Sequence, residues 1–249
     1  MSAKFSVKRA IVTGGAQGIG AAIGGRLAAE GLEVVLFDRD ADAVTDRAAE
    51  ITAAGAAQVH GIACDVTDRT RVAEAVEEAA ALMGGLDTLV TNAGIARDSF
   101  VHKMSDDDWD AVIAVHLTGT FVCVRAAAPY LRAEGPGRVI TISSISAAMG
   151  NMGQANYTAA KGGLVSLTKT LAKEFARSAT TVNCVRPGFI DTPMTAAVSD
   201  QARAALMSNI PLGRAGLPEE VAGAIAFLAS DDAAFMTGTV LDVNGGDYM

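Results

Sequence analysis

The sequence predicts an α/β fold: a parallel sheet of about seven strands, doubly wound, with helices on both faces. Two observations carry this. Short Val/Ile/Leu-rich runs recur at 9–13, 33–37, 59–64, 86–91, 138–143, 180–185 and 239–243. Between them apolar residues return at helical spacing, as at Val72, Val76 and Ala79, or at Val221, Ala224, Ile225 and Leu228. Strands that are apolar throughout, without alternation, are buried on both faces, as parallel strands under crossover helices must be. A length of 249 residues suits one α/β domain with a substantial core. No repeat, low-complexity tract or linker divides it, so one domain over 1–249 is expected. Half the residues are hydrophobic and only 5% aromatic, so the core is aliphatic.

The first strand, Arg9–Thr13, runs into Gly14-Gly15-Ala16-Gln17-Gly18-Ile19-Gly20, and an apolar helix pattern follows at Ile19, Ala22, Ile23 and Leu27. Strand, glycine turn and helix are the context of a dinucleotide fingerprint in a Rossmann fold. The glycines let backbone approach a pyrophosphate, and the helix N-terminus offers it unpaired N–H groups and a positive dipole. The second strand ends in Asp38, 18 residues after Gly20, where a carboxylate can accept the hydroxyls of an adenosine ribose. Asp38 favours NAD by repelling a 2′-phosphate, while Arg39 is the residue that would admit NADP. Asp65, closing the third strand, can accept an adenine amino hydrogen, while a plain cap to the next helix is equally available through Asp68.

After the fifth strand come Ser144, Tyr157 and Lys161. From Ala155 onward a helix is expected, which sets Tyr157 and Lys161 one turn apart on one face. A phenol with a pKa of about 10 is a poor acid or base at neutral pH. A nearby ammonium stabilises the phenolate and lowers that value, and a serine hydroxyl opposite can hold a carbonyl or alkoxide oxygen. These are parts for moving a proton while a hydride moves elsewhere. After the sixth strand, 191–211 carries Pro193, Met194, Val198, Leu206 and Met207 without a strand of its own. A substrate lid beyond the carboxyl edge of the sheet is expected there.

In order along the chain stand Thr13 to Gly20 (T-G-x-x-x-G-x-G), Asp65-Val66, Asn92-Ala93-Gly94, Ser144, Tyr157 with Lys161, and Pro187-Gly188 followed by Thr192. On these signposts the chain resembles the short-chain dehydrogenase/reductases over essentially its whole length. Through Met149-Gly150-Asn151 and Gly153 to Tyr157 it resembles their 3-oxoacyl reductases, of carrier-protein or CoA thioesters. The resemblance selects Ser144 over Ser143 as the catalytic serine. It implies cofactor contacts at Gly14, Gln17, Gly18, Ile19, Gly20, Asp38, Arg39, Asp65, Val66, Asn92, Ala93, Gly94, Tyr157, Lys161, Pro187, Gly188, Ile190 and Thr192. It also implies that Lys161 holds the nicotinamide ribose, and it implies a homotetramer, for which Ala159, Ala160 and Gly163 would offer a close-packing face. At His116 the chain departs from the family, which has an asparagine there to hold a water of the proton relay. An imidazole can hold a water too, or His116 is a packed core residue.

The expected function is interconversion of a ketone and a secondary alcohol with NAD(H), on a 3-oxoacyl thioester. A steroid, sugar or simple secondary alcohol is the alternative, and a non-catalytic NAD sensor a second one. The intact Ser144, Tyr157 and Lys161 speak against the sensor. A net charge of −8 argues against nucleic acid. The turn Leu131–Arg138, with two arginines and one glutamate, is a thin basic patch for an acidic carrier protein, which favours CoA or simpler thioesters. Cys64, Cys123 and Cys184 stand singly in apolar contexts, as in a reducing compartment, and His60, His102 and His116 lack ligand spacing, so no metal is expected. The N-terminal segment shows no signal-peptide core, and Ala111–Val124 is broken by polar residues, so a cytoplasmic protein without membrane spans is expected.

Overall fold

The computed structural model describes residues 4–133, 135–196 and 198–249. The strands fall within two residues of the sequence pattern: β1 Arg9–Thr13, β2 Glu33–Asp38, β3 Val59–Ala63, β4 Thr88–Thr91, β5 Arg138–Ile142, β6 Thr181–Pro187 and β7 Val240–Val243. The helices are α1 Gly18–Ala29, α2 Ala41–Ala53, α3 Arg69–Met83, α4 Asp106–Ile113, α5 Gly119–Leu131, α6 Ser146–Met149, α7 Ala155–Phe175, α8 Asp200–Asn209 and α9 Pro218–Ala229. All strand pairs are parallel, in the order β3-β2-β1-β4-β5-β6-β7.

The apolar strands serve two cores. In β2, Val34 and Leu36 join the layer that holds α1, α2 and α9, while Val35 and Phe37 join the layer that holds α3, α5 and α7. Ile23 and Leu27 of α1 are fully buried, each worth about 1.5–3 kcal/mol by area. Asp40, Asp68 and Ser105 cap α2, α3 and α4 by accepting first-turn N–H groups, and three aspartates in the first turn of α4 suit its dipole.

From Asp106 to Leu131 the helix is continuous through a five-residue π-turn, Ala114–Thr118, that carries His116. An 18-residue window of it reaches a mean hydropathy of 1.7, enough by length and composition to cross a membrane. The sequence reading expected no such run. Here the helix packs against α3 and α7, and its apolar residues feed the core.

On α7 the expected close-packing face turns inward instead. Ala160 is buried, and a Cβ at Gly163 would press on Leu117. Only Ala159 of that trio is exposed.

Because every strand points the same way, all carboxyl ends share one edge, and the order reverses between β1 and β4. That switch point opens a crevice. The 131–138 turn lies at the opposite edge, since it feeds the start of β5. Its Arg138 is buried, and its Glu134 lies outside the described residues. The thin basic patch of this turn therefore lies on the side of the sheet away from the crevice and bears on neither carrier protein nor CoA. The 191–211 segment, of which Ala197 lies outside the described residues, leaves the carboxyl edge. It is pinned by Thr195 Oγ1 donating to Ile190 O at 2.7 Å and by the Arg203–Asp191 ion pair at 3.0 Å.

Candidate active site

A cavity of about 310 Å³ occupies the crevice. At one end is the glycine turn, with Gly14 and Gly18 at φ +65° and +55°. Gln17 puts no side-chain cap on α1, so the first-turn N–H groups are free for an anion. Gly14, Gln17, Gly18 and Ile19 line the cavity. Gly20 does not: a Cβ there would collide with the Gly14 carbonyl and the Asn92 amide. Its lack of a side chain lets the helix pack on the turn, while its N–H stays in the first turn of α1.

Asp38 Oδ2 accepts from Ala16 N at 3.2 Å, which holds the carboxylate over the turn beside Arg39. Asp65 Oδ1 accepts from Thr67 N at 2.8 Å and from Thr67 Oγ1 at 2.7 Å, so it shapes its own turn as well as lining the cavity with Val66. Asn92 Nδ2 donates to Thr13 O at 3.0 Å and to Gly14 O at 3.1 Å, tying β4 to the glycine turn. Ala93, Gly94, Pro187, Gly188, Ile190 and Thr192 complete that wall. The glycine cradle, the uncapped helix and the ribose-height carboxylate fit a dinucleotide.

At the other end Ser144, Tyr157, Lys161 and His116 come together. Ser143 spends its hydroxyl on Lys161 O at 2.9 Å. Tyr157 is half-buried, and Lys161 Nζ lies 5.5 Å from its ring centroid. Burial pushes the Tyr157 phenol up; a hydrogen bond from Ser144 pulls it down, and the charge of Asp98 pushes it up. Lys161 is not among the groups that move the phenol in this arrangement. The ammonium is turned to Ile142 O at 2.7 Å, and burial alone pulls its pKa down to about 8.

His116 is buried and meets the Tyr157 ring edge-on, centroids 5.2 Å apart. Its Nε2 sits 2.8 Å from Ile95 O and 3.0 Å from Ile95 N, and its Nδ1 has no partner among the described residues. Nε2 can donate to Ile95 O or accept from Ile95 N, so each neutral tautomer leaves one N–H without a partner among the described residues, that of Ile95 or that of Nδ1. Burial first, then the charge of Lys161, pulls the His116 pKa down to about 3, so the ring is neutral. The Cβ that Gly94 lacks would occupy the space of the His116 ring.

Sequence reading passed over Asn156 as a site element. Fully buried, it donates from Nδ2 to Arg97 O at 2.9 Å and Asp108 O at 3.1 Å, and its Oδ1 accepts from Tyr157 N at 2.7 Å. It sets the start of α7, hence Tyr157, against the loop after β4. Its place next to Tyr157 in an otherwise small-residue helix start was the available signal.

A family model described as enoyl-(acyl carrier protein) reductase matches residues 14–247. The chain is 43% identical over 248 residues to the 3-oxoacyl-[acyl-carrier-protein] reductase FabG of Escherichia coli, covering 98% of this chain and 99% of that one. Against the reductase of the same name from Salmonella typhimurium the identity is 43% over 245 residues, with 98% and 99% covered. For the one from Staphylococcus aureus it is 40% over 242 residues, with 97% and 98% covered.

Proposed function

The chain belongs to the short-chain dehydrogenase/reductase family, oxidoreductases of CH–OH groups with a nicotinamide cofactor, and we propose that it reduces 3-oxoacyl thioesters with NADH as one catalytic domain. The observation that carries this is the convergence of Ser144, Tyr157, Lys161 and His116 at one end of a cavity whose other end is a glycine cradle. The bound nicotinamide would supply the hydride to the carbonyl carbon. Ser144 holds the carbonyl oxygen. Tyr157, kept protonated by burial, gives that oxygen its proton. Lys161, with a pKa near 8, remains largely cationic at neutral pH and stabilises the phenolate left behind. In the cofactor-bound site Lys161 also takes the ribose hydroxyls.

His116 stands in for the family's asparagine. Its Nδ1, without a partner among the described residues, belongs to a side chain that lines the same cavity as Lys161, and a water hydrogen-bonded to both would link the two. Under this reading His116→Asn keeps most of kcat, whereas His116→Leu loses much of it.

NAD is the cofactor we favour. The shallow crevice beside the ribose end is lined by Asp38, Asp40, Asp46 and Glu50. Of its two arginines, Arg47 is already committed to Ala16 O at 3.1 Å and Glu50 at 2.7 Å. Only Arg39 is left to answer a 2′-phosphate.

The family description names enoyl reduction, but a serine and tyrosine placed to hold and protonate an oxygen support a carbonyl. The names of the relatives support a carrier-bound acyl group, and the 131–138 turn, at the far edge of the sheet, does not favour CoA over it. The 191–211 segment serves as the lid, with Met194 on the cavity wall. Exposed Phe121, Phe227 and Phe235 support a homotetramer, and three free buried thiols support a cytoplasmic setting. The test is turnover of 3-oxoacyl thioesters, followed at the nicotinamide absorbance, in Tyr157→Phe against parent. A loss of about 10²–10⁴ in kcat is expected, with NADH binding changed little. Near-parent kcat would overturn the assignment.

A further inference from the structure

Behind Ser144 lies a polar chain that no step above uses. Asp98, exposed on the loop after β4, accepts from Gln154 Nε2 at 2.8 Å. A carboxylate only accepts, so it fixes the amide with Nε2 outward and Oε1 inward. That Oε1 accepts from Asn151 Nδ2 at 3.1 Å and from the Ser146 hydroxyl at 3.3 Å. Asn151 Nδ2 also donates to Ser146 Oγ at 2.8 Å. Ser146, itself 4% exposed, then meets Ser144 twice: its N–H donates to Ser144 Oγ at 3.2 Å, and the two hydroxyl oxygens lie 3.3 Å apart. The segments that carry the chain are joined by backbone as well, since Ser99 N donates to Gly153 O at 2.8 Å and Ser99 pairs with Gln154 in an isolated bridge.

Counting donors settles the polarity. The Ser146 proton is drawn to Gln154, and the Ser146 N–H fills the acceptor side of Ser144. The Ser144 proton is left with two destinations, Ser146 Oγ behind it or an oxygen in the cavity. We propose that Ser146, oriented through Gln154 by Asp98, is a positioning residue that holds the Ser144 hydroxyl proton until a carbonyl oxygen enters. The inference rests on the role of Ser144 proposed above. It gives the exposed carboxylate of Asp98 a line to the reacting oxygen through three side chains, Gln154, Ser146 and Ser144, polarised in one direction.

The experiment compares parent, Ser146→Ala and Gln154→Glu. In Ser146→Ala the Asn151–Gln154 contact remains, so no buried partner is orphaned and an unchanged melting temperature is expected. Without Ser146 Oγ to share it, the Ser144 proton is left to the Tyr157 oxygen, which it already pulls down in part in the parent. Ionisation of Tyr157 in the ligand-free protein, read by ultraviolet difference absorbance against Tyr157→Phe, then moves to lower pH. The kcat for the ketone falls about fivefold, the weight of one neutral hydrogen bond, with NADH affinity unchanged. Gln154→Glu sets a second carboxylate against Asp98, so kcat falls at neutral pH and recovers as the new carboxyl takes a proton. A purely structural Ser146 would move neither the tyrosine titration nor kcat, and that result overturns the inference. If the parent itself reduces no ketone, the proposed function fails, while the titration, which needs no substrate, still decides this point.

Discussion

Arg138 and Lys161 are both buried cations, and they flank the two ends of one strand. Arg138 opens β5 at the amino edge of the sheet, 1% exposed. Its Nη1 donates to Gly137 O at 3.0 Å and its Nη2 to Ser230 O at 3.4 Å, with Asp231 at 3.8 Å. Ser230 ends α9, so the guanidinium also meets the negative end of a helix dipole. Asp231 in turn binds the backbone and hydroxyl of Ser6, which ties down the N-terminal segment. Lys161, beyond the carboxyl end of β5, has one carbonyl partner, Ile142 O, and no carboxylate among the described residues. Burial pulls both pKa values down; the carboxylate of Asp231 pushes back at Arg138, whereas at Lys161 the opposing push comes from the Cys184 thiol. The amino edge spends its charge on closing the fold. The carboxyl edge keeps one in reserve for a ligand.

The widest break in this comparison comes from replacing each cation with methionine. Arg138→Met strands the α9 carbonyl end and loosens the Ser6–Asp231 tie, so it should cost about 2–3 kcal/mol of stability, with kcat per folded molecule unchanged. Lys161→Met should abolish turnover yet raise the melting temperature by a few degrees. Holding its pKa near 8 against 10.5 in the unfolded chain costs roughly 3 kcal/mol, partly offset by the lost bond to Ile142 O. Between pH 8 and 10.5 the unfolded chain binds the extra proton. Parent stability therefore carries a rising component over that window, which Lys161→Met should lack. Melting curves of the three proteins from pH 7 to 10.5 check it. Destabilisation by Lys161→Met would mean that the ammonium is structural after all.

His116 is the second under-satisfied group at the carboxyl edge, and acid exposes it. Its pKa is about 3 in the fold and 6.5 unfolded. As pH falls through 6.5 the unfolded chain takes a proton that the fold refuses, and the loss of stability grows until about pH 3. At pH 5 this amounts to roughly 2 kcal/mol. Denaturant midpoints should fall less steeply with acid in His116→Asn and His116→Leu than in parent. Parallel slopes in all three would show that the ring is protonated without penalty.

The same contrast explains what sequence alone gave away. The strands were legible because burial on both faces demands unbroken Val/Ile/Leu runs, and the glycine turn because its φ values and close approaches admit little else. Direction within the sheet was equally legible, and it sets the charges of the 131–138 turn at the amino edge, away from the crevice. The inward turn of Ala160 and Gly163 and the supporting role of Gly20 depend on a neighbour far away in sequence, Leu117 in one case and Asn92 in the other. The π-turn at His116 and the Asp98–Gln154–Ser146 chain have no periodic signature. They are side-chain agreements between loops, and such agreements are made only once the fold has formed.

Asp38 lies between the two extremes: at the carboxyl edge, yet its carboxylate already takes backbone donors from Ala16 at 3.2 Å and Asp40 at 3.3 Å. Such a group is held for a ligand at little cost to the fold, so Asp38→Ala should leave the melting temperature within a degree or two and act on cofactor choice. Removing the charge that repels a 2′-phosphate, with Arg39 still beside it, should narrow the NADH-over-NADPH ratio of kcat/KM by about tenfold, near 1.4 kcal/mol. The acids at Asp40, Asp46 and Glu50 remain, so the preference should shrink without inverting. A parent enzyme that already favours NADPH would move the decision from Asp38 to Arg39. The stability of Asp38→Ala would then still say whether this carboxylate belongs with Lys161, waiting for a ligand, or with Arg138, holding the fold.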